Sequence, residues 1–258
     1  MDNNFKYKLL IRQIYELAKA NMRSRYRKTI AGFLWVVLNP IIMYSVQSFV
    51  FRKFLKLEVP NYSLFLLCGL LPWIFIVMTA DMVTPILDFS GELLKSFKMS
   101  PAVLVYAQVL DNFINFIFAF FLILIPTWIF SDQTFSGVIF LPVALALLVA
   151  GVSSACWLLS VMQVFFKDIR FIVSFLTSIL FFLTPVFYPV EFVPEKYRIF
   201  VDFNPIYAMI EPFRYCIYNY NLELLCKSLL RSFVVCCMIF TLAVGFWKRK
   251  KNEFYLSL

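Results

Sequence analysis

Residues 102–130 read AVLVYAQVLDNFINFIFAFFLILIPTWIF, a run of 29 residues that holds a single charged side chain, Asp111. About 20 mostly apolar residues suffice for a helix to cross the hydrocarbon of a bilayer. The run therefore predicts a transmembrane helix, and its extra length lets that helix tilt or project beyond the membrane.

Stretches of the same character lie on both sides of this run. The chain of 258 residues is 62% hydrophobic and 15% charged, with a mean hydropathy of +0.82. Soluble domains average about 45–50% apolar and about 25% charged residues, which argues against a soluble enzyme domain, a nucleic-acid module and a disordered chain. We predict an all-α integral membrane protein with six transmembrane helices, at 29–51, 61–80, 102–130, 136–166, 171–190 and about 229–247.

Basic residues are distributed unequally between the two predicted sides of the membrane. The chain has 24 Lys and Arg against 15 Asp and Glu, a net charge of +9. If the N-terminus is cytoplasmic, 16 Lys and Arg lie on the cytoplasmic side and 8 on the other side. The positive-inside rule therefore predicts that both termini are cytoplasmic. These residues flank apolar runs, which indicates contact with anionic lipid head groups and no nucleic-acid partner.

Residues 1–28 predict an amphipathic helix at the cytoplasmic interface. One face carries apolar residues at spacings of three and four, and another carries basic residues. The apolar set is Leu10, Ile14, Leu17 and Ala18, and the basic set is Arg12, Lys19, Arg23 and Arg27. Such a helix lies in the interface with its basic face toward the head groups. The alternative is a cytoplasmic helix surrounded by water. Residues 29–258 form the predicted membrane domain.

Residues 85–101 read PILDFSGELLKSFKMSP and form the largest predicted cytoplasmic loop. Ser90 suits the N-cap of a short helix at about 90–100, with Glu92 in its first turn. Leu93, Leu94 and Phe97 have the spacing of one helix face. This amphipathic helix has two interpretations, because it either rests against lipid or docks a cytoplasmic partner.

Residues 189–228 form a polar segment on the predicted outer side. Four prolines divide it into short pieces: Pro189, Pro194, Pro205 and Pro212. The segment predicts one or two half-helices that dip into the outer membrane face, which is tolerated where protein or a cavity covers the backbone. Cys216 and Cys226 share this segment, and the sequence leaves open whether they form a disulfide.

Four polar residues in the third predicted span share one helix face, at i, i+3, i+4 and i+7: Gln108, Asp111, Asn112 and Asn115. A carboxylate in hydrocarbon is costly, so this polar stripe predicts either the lining of a conduit or hydrogen bonds between helices. A rival interpretation makes Asp111 or Asp81 the proton carrier of a secondary transporter, although no inverted repeat is visible.

Aromatic residues make up 19% of the chain. Those near span ends and prolines suit an interfacial belt, and their faces also suit apolar contact with sliding sugar rings. The candidates are Trp35, Tyr44, Trp73, Phe182, Phe187 and Tyr188. There is no histidine and no G-x-x-x-x-G-K-[ST] motif, so we predict no catalytic residue, no metal site and no ATP hydrolysis by this chain.

Four blocks, in order, carry a family resemblance. The first is R-Y-R at 25–27, followed by G-x-x-W at 32–35 and Pro40; the second is G-L-L-P-W at 69–73. The third is F-K-D-I at 166–169. The fourth comprises Thr184-Pro185-Val186, Tyr188-Pro189, Val193-Pro194, Asn204-Pro205 and Arg214. Together they resemble the membrane subunits of polysaccharide ABC exporters, the type-2 permeases for O-antigen, capsule and teichoic acid. Lys167 replaces the arginine of the family's F-R-D-I, which keeps the charge and loses the planar fork.

The resemblance implies a homodimer in the bacterial cytoplasmic (inner) membrane, with six spans in each chain. It also implies two copies of a cytoplasmic ABC ATPase, which bind ATP and Mg²⁺, so that this chain has no cofactor of its own. The 90–100 helix would be the coupling helix, with Glu92, Leu93, Leu94, Lys95, Phe97 and Lys98 as ATPase-coupling residues. One departure is K-M-S-P at 98–101, where relatives often have F-P-R. Short gate helices at about 190–213 would involve Pro189, Pro194, Asn204, Pro205 and Arg214.

The expected function is ATP-driven export of a lipid-linked polysaccharide through a channel between the two copies. Lipopolysaccharide O-antigen is the leading substrate, with capsule and teichoic acid as alternatives. The lipid phosphate is expected to pair with the guanidinium groups of Arg23, Arg25 and Arg27 at the cytoplasmic leaflet. The polar stripe and the aromatic candidates would contact the glycan in the channel.

Overall fold

The computed structural model of this chain describes residues 3–26, 34–54, 56, 58–97, 99–131 and 136–258. The described residues form helices joined by turns and short irregular segments, and no strand occurs among them. The helices are α1 (Asn3–Tyr26), α2 (Trp35–Phe49), α3 (Tyr62–Val83), α4 (Ile86–Phe89), α5 (Gly91–Phe97), α6 (Pro101–Ile129), α7 (Leu141–Phe165), α8 (Ile169–Leu183), α9 (Glu195–Asp202), α10 (Pro205–Ile217), α11 (Leu222–Lys250) and α12 (Phe254–Ser257).

Four helical stretches of the described chain are long and apolar enough to cross a membrane. They are Tyr62–Phe89, Pro101–Ile129, Val138–Phe165 and Leu222–Lys250. They coincide with the second, third, fourth and sixth predicted spans. The last of them begins seven residues before the predicted start at 229. The all-helical membrane fold is therefore confirmed at these four spans.

The first and fifth predicted spans contain shorter helices. α2 and α8 have 15 residues each, which is about 22 Å against roughly 30 Å of hydrocarbon. α2 continues into a π-helical turn at Val50–Phe54, whereas residues 29–33 of its predicted span lie outside the described residues. α8 ends at Leu183 because Thr184 precedes Pro185 and takes an extended backbone (φ −92°, ψ 127°), as residues before proline prefer.

α3 forms the centre of the bundle. It packs against α2, α6, α7, α8 and α10, and most of its residues are buried. α3 is apolar on all sides, as a helix must be when it is surrounded by protein. A close approach occurs at Gly69, where a Cβ would meet the carbonyl oxygen of Val186 at 3.0 Å and Arg214 at 3.1 Å.

α1 packs along the first half of α6. Its predicted apolar face is confirmed, because Ala18 is buried and Leu10, Ile14 and Leu17 are half-buried. The basic residues Arg12, Lys19 and Arg23 are exposed, and Arg27 lies outside the described residues.

The two ends of the bundle differ in composition. The basic end holds α4, α5, the turn at 166–168 and α12, which gather at the end of α7. The opposite end holds residues 184–205, which include a 3₁₀ turn (Val190–Phe192) and α9. α9 and α10 fit the half-helices that the sequence predicts there. The six cysteines are free thiols, with Cys216 buried and Cys226 exposed.

Candidate functional site

α8 presents an exposed face of aromatic rings and hydroxyl groups. At 100° per residue, Phe171, Ser174, Phe175, Ser178 and Phe182 lie within one narrow face, and all five are exposed. Val173 is the buried residue of this helix. The hydroxyl of Ser178 donates to the carbonyl oxygen of Ser174 at 2.8 Å, so its lone pairs remain as acceptors on the exposed face.

α2 is the second poorly covered helix. Trp35, Asn39, Ile42, Val46 and Phe49 share one exposed face. Its buried residues are Pro40 and Gln47, which lie on the other side. Like α8, α2 therefore has a broad surface that its own protomer leaves open.

Polar groups on these faces restrict what can cover them. Lipid tails offer no hydrogen bonds, so Asn and Ser residues at membrane depth usually face protein or a water-filled cavity. The two serines on α8 therefore indicate that its face lines an aqueous conduit or an interface. On α2, Asn39 Nδ2 donates to Met78 Sδ of α3 at 3.9 Å and borders the cavity between α2, α3 and α6. Sequence reasoning identified Phe182 alone on this face; the 3–4 spacing of the serines and phenylalanines was the signal for the others.

The aromatic candidates divide into two groups. Trp35 and Phe182 are exposed at 52% and 68%. Tyr44 and Tyr188 are half-buried, and their hydroxyls donate to Ser63 Oγ at 2.7 Å and to the carbonyl oxygen of Phe182 at 3.0 Å.

Trp73 and Phe187 correct the prediction of aromatic glycan contacts. Both are 4% exposed, and both pack on Phe181, at 5.6 Å and 5.3 Å between ring centroids. Their ring faces are buried in the core of the protomer, where they pack between α3 and the end of α8.

Two of the predicted gate residues fasten the segment that follows α8. The Asn204 side chain accepts from the amides of Ile206 and Tyr207 as the N-cap of α10, and its Nδ2 donates to Thr184 Oγ1 at 2.8 Å. Pro205 is the first residue of α10, where its missing N–H costs nothing. Pro194 and Pro189 precede α9 and the 3₁₀ turn.

Arg214 is the second predicted gate residue that holds the segment after α8 in place. Its buried guanidinium donates to the carbonyl oxygens of Pro185 and Val186, the latter at 2.8 Å. It also lies 4.2 Å from the ring centroid of Phe65 on α3. Arg214 therefore links α10, the 184–188 turn and α3 through one side chain.

Arg231 forms a second set of contacts that holds this end together, and the sequence analysis did not predict it. We call the contacts of Arg214 and of Arg231 the two arginine clasps. Arg231 of α11 donates to Glu211 Oε2 at 3.2 Å and to the carbonyl oxygen of Val201 at 2.7 Å, and also to that of Asp202. It thereby holds the C-terminal end of α9, where a cation complements the helix dipole. In the sequence Arg231 looks like a charge that flanks the sixth span, so nothing in its local pattern indicates this role.

The polar stripe on α6 binds α1. Arg25 Nη2 donates to Asp111 Oδ2 at 2.6 Å and to Asn112 Oδ1 at 2.9 Å, and Asn21 Nδ2 donates to Gln108 Oε1 at 3.2 Å. Asp111 is fully buried. Of the two interpretations of the stripe, hydrogen bonding between helices is thus present within the protomer. Asn112 and Asn115 also line a cavity of about 340 Å³ between α2, α3 and α6.

The predicted coupling residues do not all face outward. Glu92, Leu93 and Lys95 are exposed, whereas Leu94 has no exposed surface and packs in the protomer core. The prediction of Leu94 as an ATPase contact is therefore corrected, because substituting it would disrupt the bundle first. The side chain of Phe97 and residue Lys98 lie outside the described residues.

The coupling region is tied to the F-K-D-I turn. Lys167 forms an ion pair with Asp88 of α4, and Leu87 beside it is fully buried. The segments 86–97 and 166–168 therefore form one platform at the basic end. Among the described residues no group of three or more His, Cys, Asp or Glu could hold a metal ion.

These features define a multi-pass, all-helical membrane protein with an open face on α8 and a platform of short segments at one end of the bundle. The sequence matches the ABC-2 type transporter family over residues 12–218, and the chain belongs to that family. It is similar to the O-antigen export system permease protein RfbA of Myxococcus xanthus, with 24% identity over 96% of this chain and 99% of the relative. RfbA of Klebsiella pneumoniae is 24% identical over 83% of this chain and 84% of the relative. The polysialic acid transport protein KpsM of Escherichia coli is 21% identical over 74% and 75%.

Proposed function

We propose that this chain is the transmembrane subunit of an ATP-driven exporter that moves a lipid-linked polysaccharide, with O-antigen as the leading substrate, across the bacterial inner membrane. Family membership and the full-length similarity to RfbA support this class of substrate. The observation that carries the proposal is the exposed face of α8. Its alternating phenylalanines and serines offer rings for apolar contact and oxygens for hydrogen bonds, which suits a sliding glycan.

The functional unit in this proposal is a homodimer. Two copies face each other through α2 and α8, and the conduit lies between them. This arrangement gives water to Ser174 and Ser178 and removes them from lipid. In this unit α2 and α8 cross the membrane as the first and fifth of six spans, and both termini are cytoplasmic. The excess of Lys and Arg at the basic end supports that orientation.

ATP is hydrolysed by two copies of a separate ABC ATPase, which also bind Mg²⁺. The ATPase docks at the basic platform, on the exposed residues Glu92, Leu93 and Lys95. Because the ion pair of Lys167 and Asp88 joins α4 to the turn that begins α8, a movement of the platform is transmitted to α8. The Arg214 clasp lies at the other end of α8, so the same movement reaches the gate segment 184–205.

The lipid phosphate approaches from the cytoplasmic leaflet near α1. Arg23 is exposed and available for a charge-assisted hydrogen bond. Arg25 is already paired with Asp111 and Asn112, so a phosphate at Arg25 has to displace the carboxylate. This pairing gives Asp111 a structural role, because its carboxylate holds α1 against α6.

The test is a reconstitution with its own internal controls. The chain is purified from its native membranes together with the P-loop subunit that accompanies it, and both are placed in vesicles with the host's lipid-linked glycan. ATP-dependent movement of glycan across the bilayer is expected, and Phe175→Asp in the α8 face should abolish it without loss of assembly. Transport that proceeds without ATP, driven by a pH gradient, would replace this proposal with a proton-coupled transporter. Comparing the transport of O-antigen lipids with that of capsule and teichoic acid lipids in the same vesicles identifies the substrate.

A further inference from the structure

Residues 253–258, which we name the hook, fold back at the basic end of the bundle. Phe254 has no exposed surface, and its ring packs against Trp247 at 5.3 Å between centroids. Trp247 packs in turn against Trp157 of α7 at 5.1 Å. Lys250 and Glu253 form an ion pair of 2.6 Å at the bend. A fully buried aromatic anchor gives the hook a fixed position.

The hook touches the start of the coupling helix. Gly91 is the first residue of α5, and a Cβ built on it would lie 3.3 Å from the carbonyl oxygen of Leu258 and 3.6 Å from its Cδ2. Glycine at this position lets the two backbones come together. The hook therefore packs on the side of α5 that carries Gly91 and the buried Leu94, and it leaves Leu93 exposed.

Apolar side chains around this contact face outward. Leu256 is 88% exposed and Leu93 is 42% exposed, and each is two residues from the Gly91–Leu258 contact. The same end carries exposed Phe89, Phe166 and Tyr255. Several apolar side chains gathered on a water-facing end mark an interaction surface.

Charge indicates what covers this surface. Lys95 on α5 and Lys248 and Lys251 at the end of α11 are exposed at this end of the bundle, and they suit carboxylates on a partner. Carboxylates of the chain itself are interspersed among them: Asp88, Glu92, Asp168 and Glu253. A uniformly anionic lipid surface would be repelled by these groups, whereas a protein surface can match both signs.

We infer that the hook is part of the ATPase docking surface, so that the partner binds the coupling helix and Leu256 together. The matching surface on the partner is an apolar cleft bordered by charged groups of both signs. This inference rests on the proposed function, because it needs the ATPase subunit as its occupant. It adds a contact outside the coupling helix and gives the hook a role beyond covering α7.

The test uses the full chain in its native membranes. A photo-crosslinking amino acid is placed at position 256, at position 93 as a reference within α5, and at position 203 as a control. Phe203 is 81% exposed at the opposite end. Positions 256 and 93 are expected to crosslink to the P-loop ATPase, identified by its nucleotide-binding peptides, and position 203 is not.

A matched pair of substitutions measures the contribution to binding. Leu256→Asp should lower the affinity for the ATPase by about tenfold or more, because burying a leucine side chain is worth about 1.5–3 kcal/mol and each 1.4 kcal/mol is a factor of ten. Phe203→Asp should leave it unchanged. Both side chains are exposed, so both variants should fold, which the yield and the elution profile of the purified chain check.

The outcomes separate the inference from the proposed function. Loss of ATPase binding with both Leu93→Asp and Leu256→Asp supports the hook as a docking element. Loss with Leu93→Asp alone, or a crosslink from position 256 to lipid alone, overturns the inference and leaves the exporter proposal intact. Full binding with both variants overturns the docking surface and leaves the exporter proposal intact, because the ATPase still binds. Absence of any P-loop subunit with the unchanged chain overturns the proposed function itself.

Discussion

Helices α3 and α8 are both apolar, and they occupy opposite environments in the protomer. Most of α3 is buried, including Leu66, Leu67 and Leu70 with no more than a trace of exposed surface. In α8 Val173 alone is buried. Hydropathy therefore assigns both helices to the membrane but says little about what each one faces.

The physical difference is the distribution of polar groups. α3 has apolar residues all round and places Gly69 where a carbonyl and a guanidinium approach. α8 concentrates its hydroxyls on one face together with phenylalanines. A helix that buries little of its surface in its own protomer and carries hydroxyl groups on its exposed face is suited to a conduit.

The largest effect on stability is expected in α3. Leu67→Ala removes a fully buried side chain and should lower the free energy of unfolding by about 2–5 kcal/mol. Leu176→Ala on α8 makes the same change at an exposed position and should stay within about 0.5 kcal/mol. Denaturant unfolding of the purified protein in detergent measures both. An equal loss in both variants would show that α8 is packed in the purified protein and would break the comparison.

The polar stripe of α6 is the buried counterpart of the α8 face. Asp111→Ala leaves the Arg25 guanidinium without its carboxylate and should cost about 1.5–3 kcal/mol, the range for hydrogen bonds to charged groups. The same unfolding measurement reports this loss, and a double substitution with Arg25→Ala should recover part of it. ATP-driven export should survive Asp111→Asn, because the pair is structural. Complete loss of transport by a well-folded Asp111→Asn protein would contradict this interpretation.

The clasp on α9 comes next in size. Arg231→Ala releases the α9 end from α11 and Glu211 and should cost about 1–2 kcal/mol, because the arginine is partly exposed. Limited proteolysis should then cleave within 195–203, while the rest of the bundle stays resistant. Lys227→Ala is the control on the same helix, since its pair with Glu223 is exposed. Unchanged cleavage at α9 would mean that other contacts hold the helix.

The smallest effect on stability and a large effect on export are expected for the serines of α8. Ser174→Ala with Ser178→Ala should change the free energy of unfolding by less than about 0.5 kcal/mol. The ATP-dependent export rate should fall, since the hydroxyl oxygens that meet the glycan are gone. Thr177→Val is the control next to this face. An export rate equal to that of the unchanged chain would remove the serines from the conduit.

Much of the architecture was predictable from local patterns. Long apolar runs fix α3, α6, α7 and α11, because hydrocarbon tolerates few sequences other than apolar helices. The apolar face of α1, the short helix after Ser90 and the proline-divided segment before α11 were also readable. Each of these depends on residues close together in the chain.

The contacts between distant segments were not readable in this way. The sequence shows Leu94 and Leu93 as neighbours on an amphipathic helix, and only packing decides that one is buried and the other exposed. Trp73 and Phe187 look like interfacial aromatics in the sequence, and both are buried against Phe181 only because the chain turns at Pro185 after the end of α8. In the sequence Arg231 and Arg25 look like charges that flank membrane spans. In the fold each forms an ion pair with a carboxylate of another helix, Glu211 and Asp111 respectively.

The sequence by itself determined that this chain is a helical membrane protein of the ABC-2 type, because composition, spacing and ordered motifs are properties of the chain alone. The tertiary structure decided which helices fill the core, which face remains open, and how the two arginine clasps and the hook are placed. Those outcomes depend on pairs of residues that are far apart in sequence, and a local pattern holds no information about the partner that a side chain meets after folding.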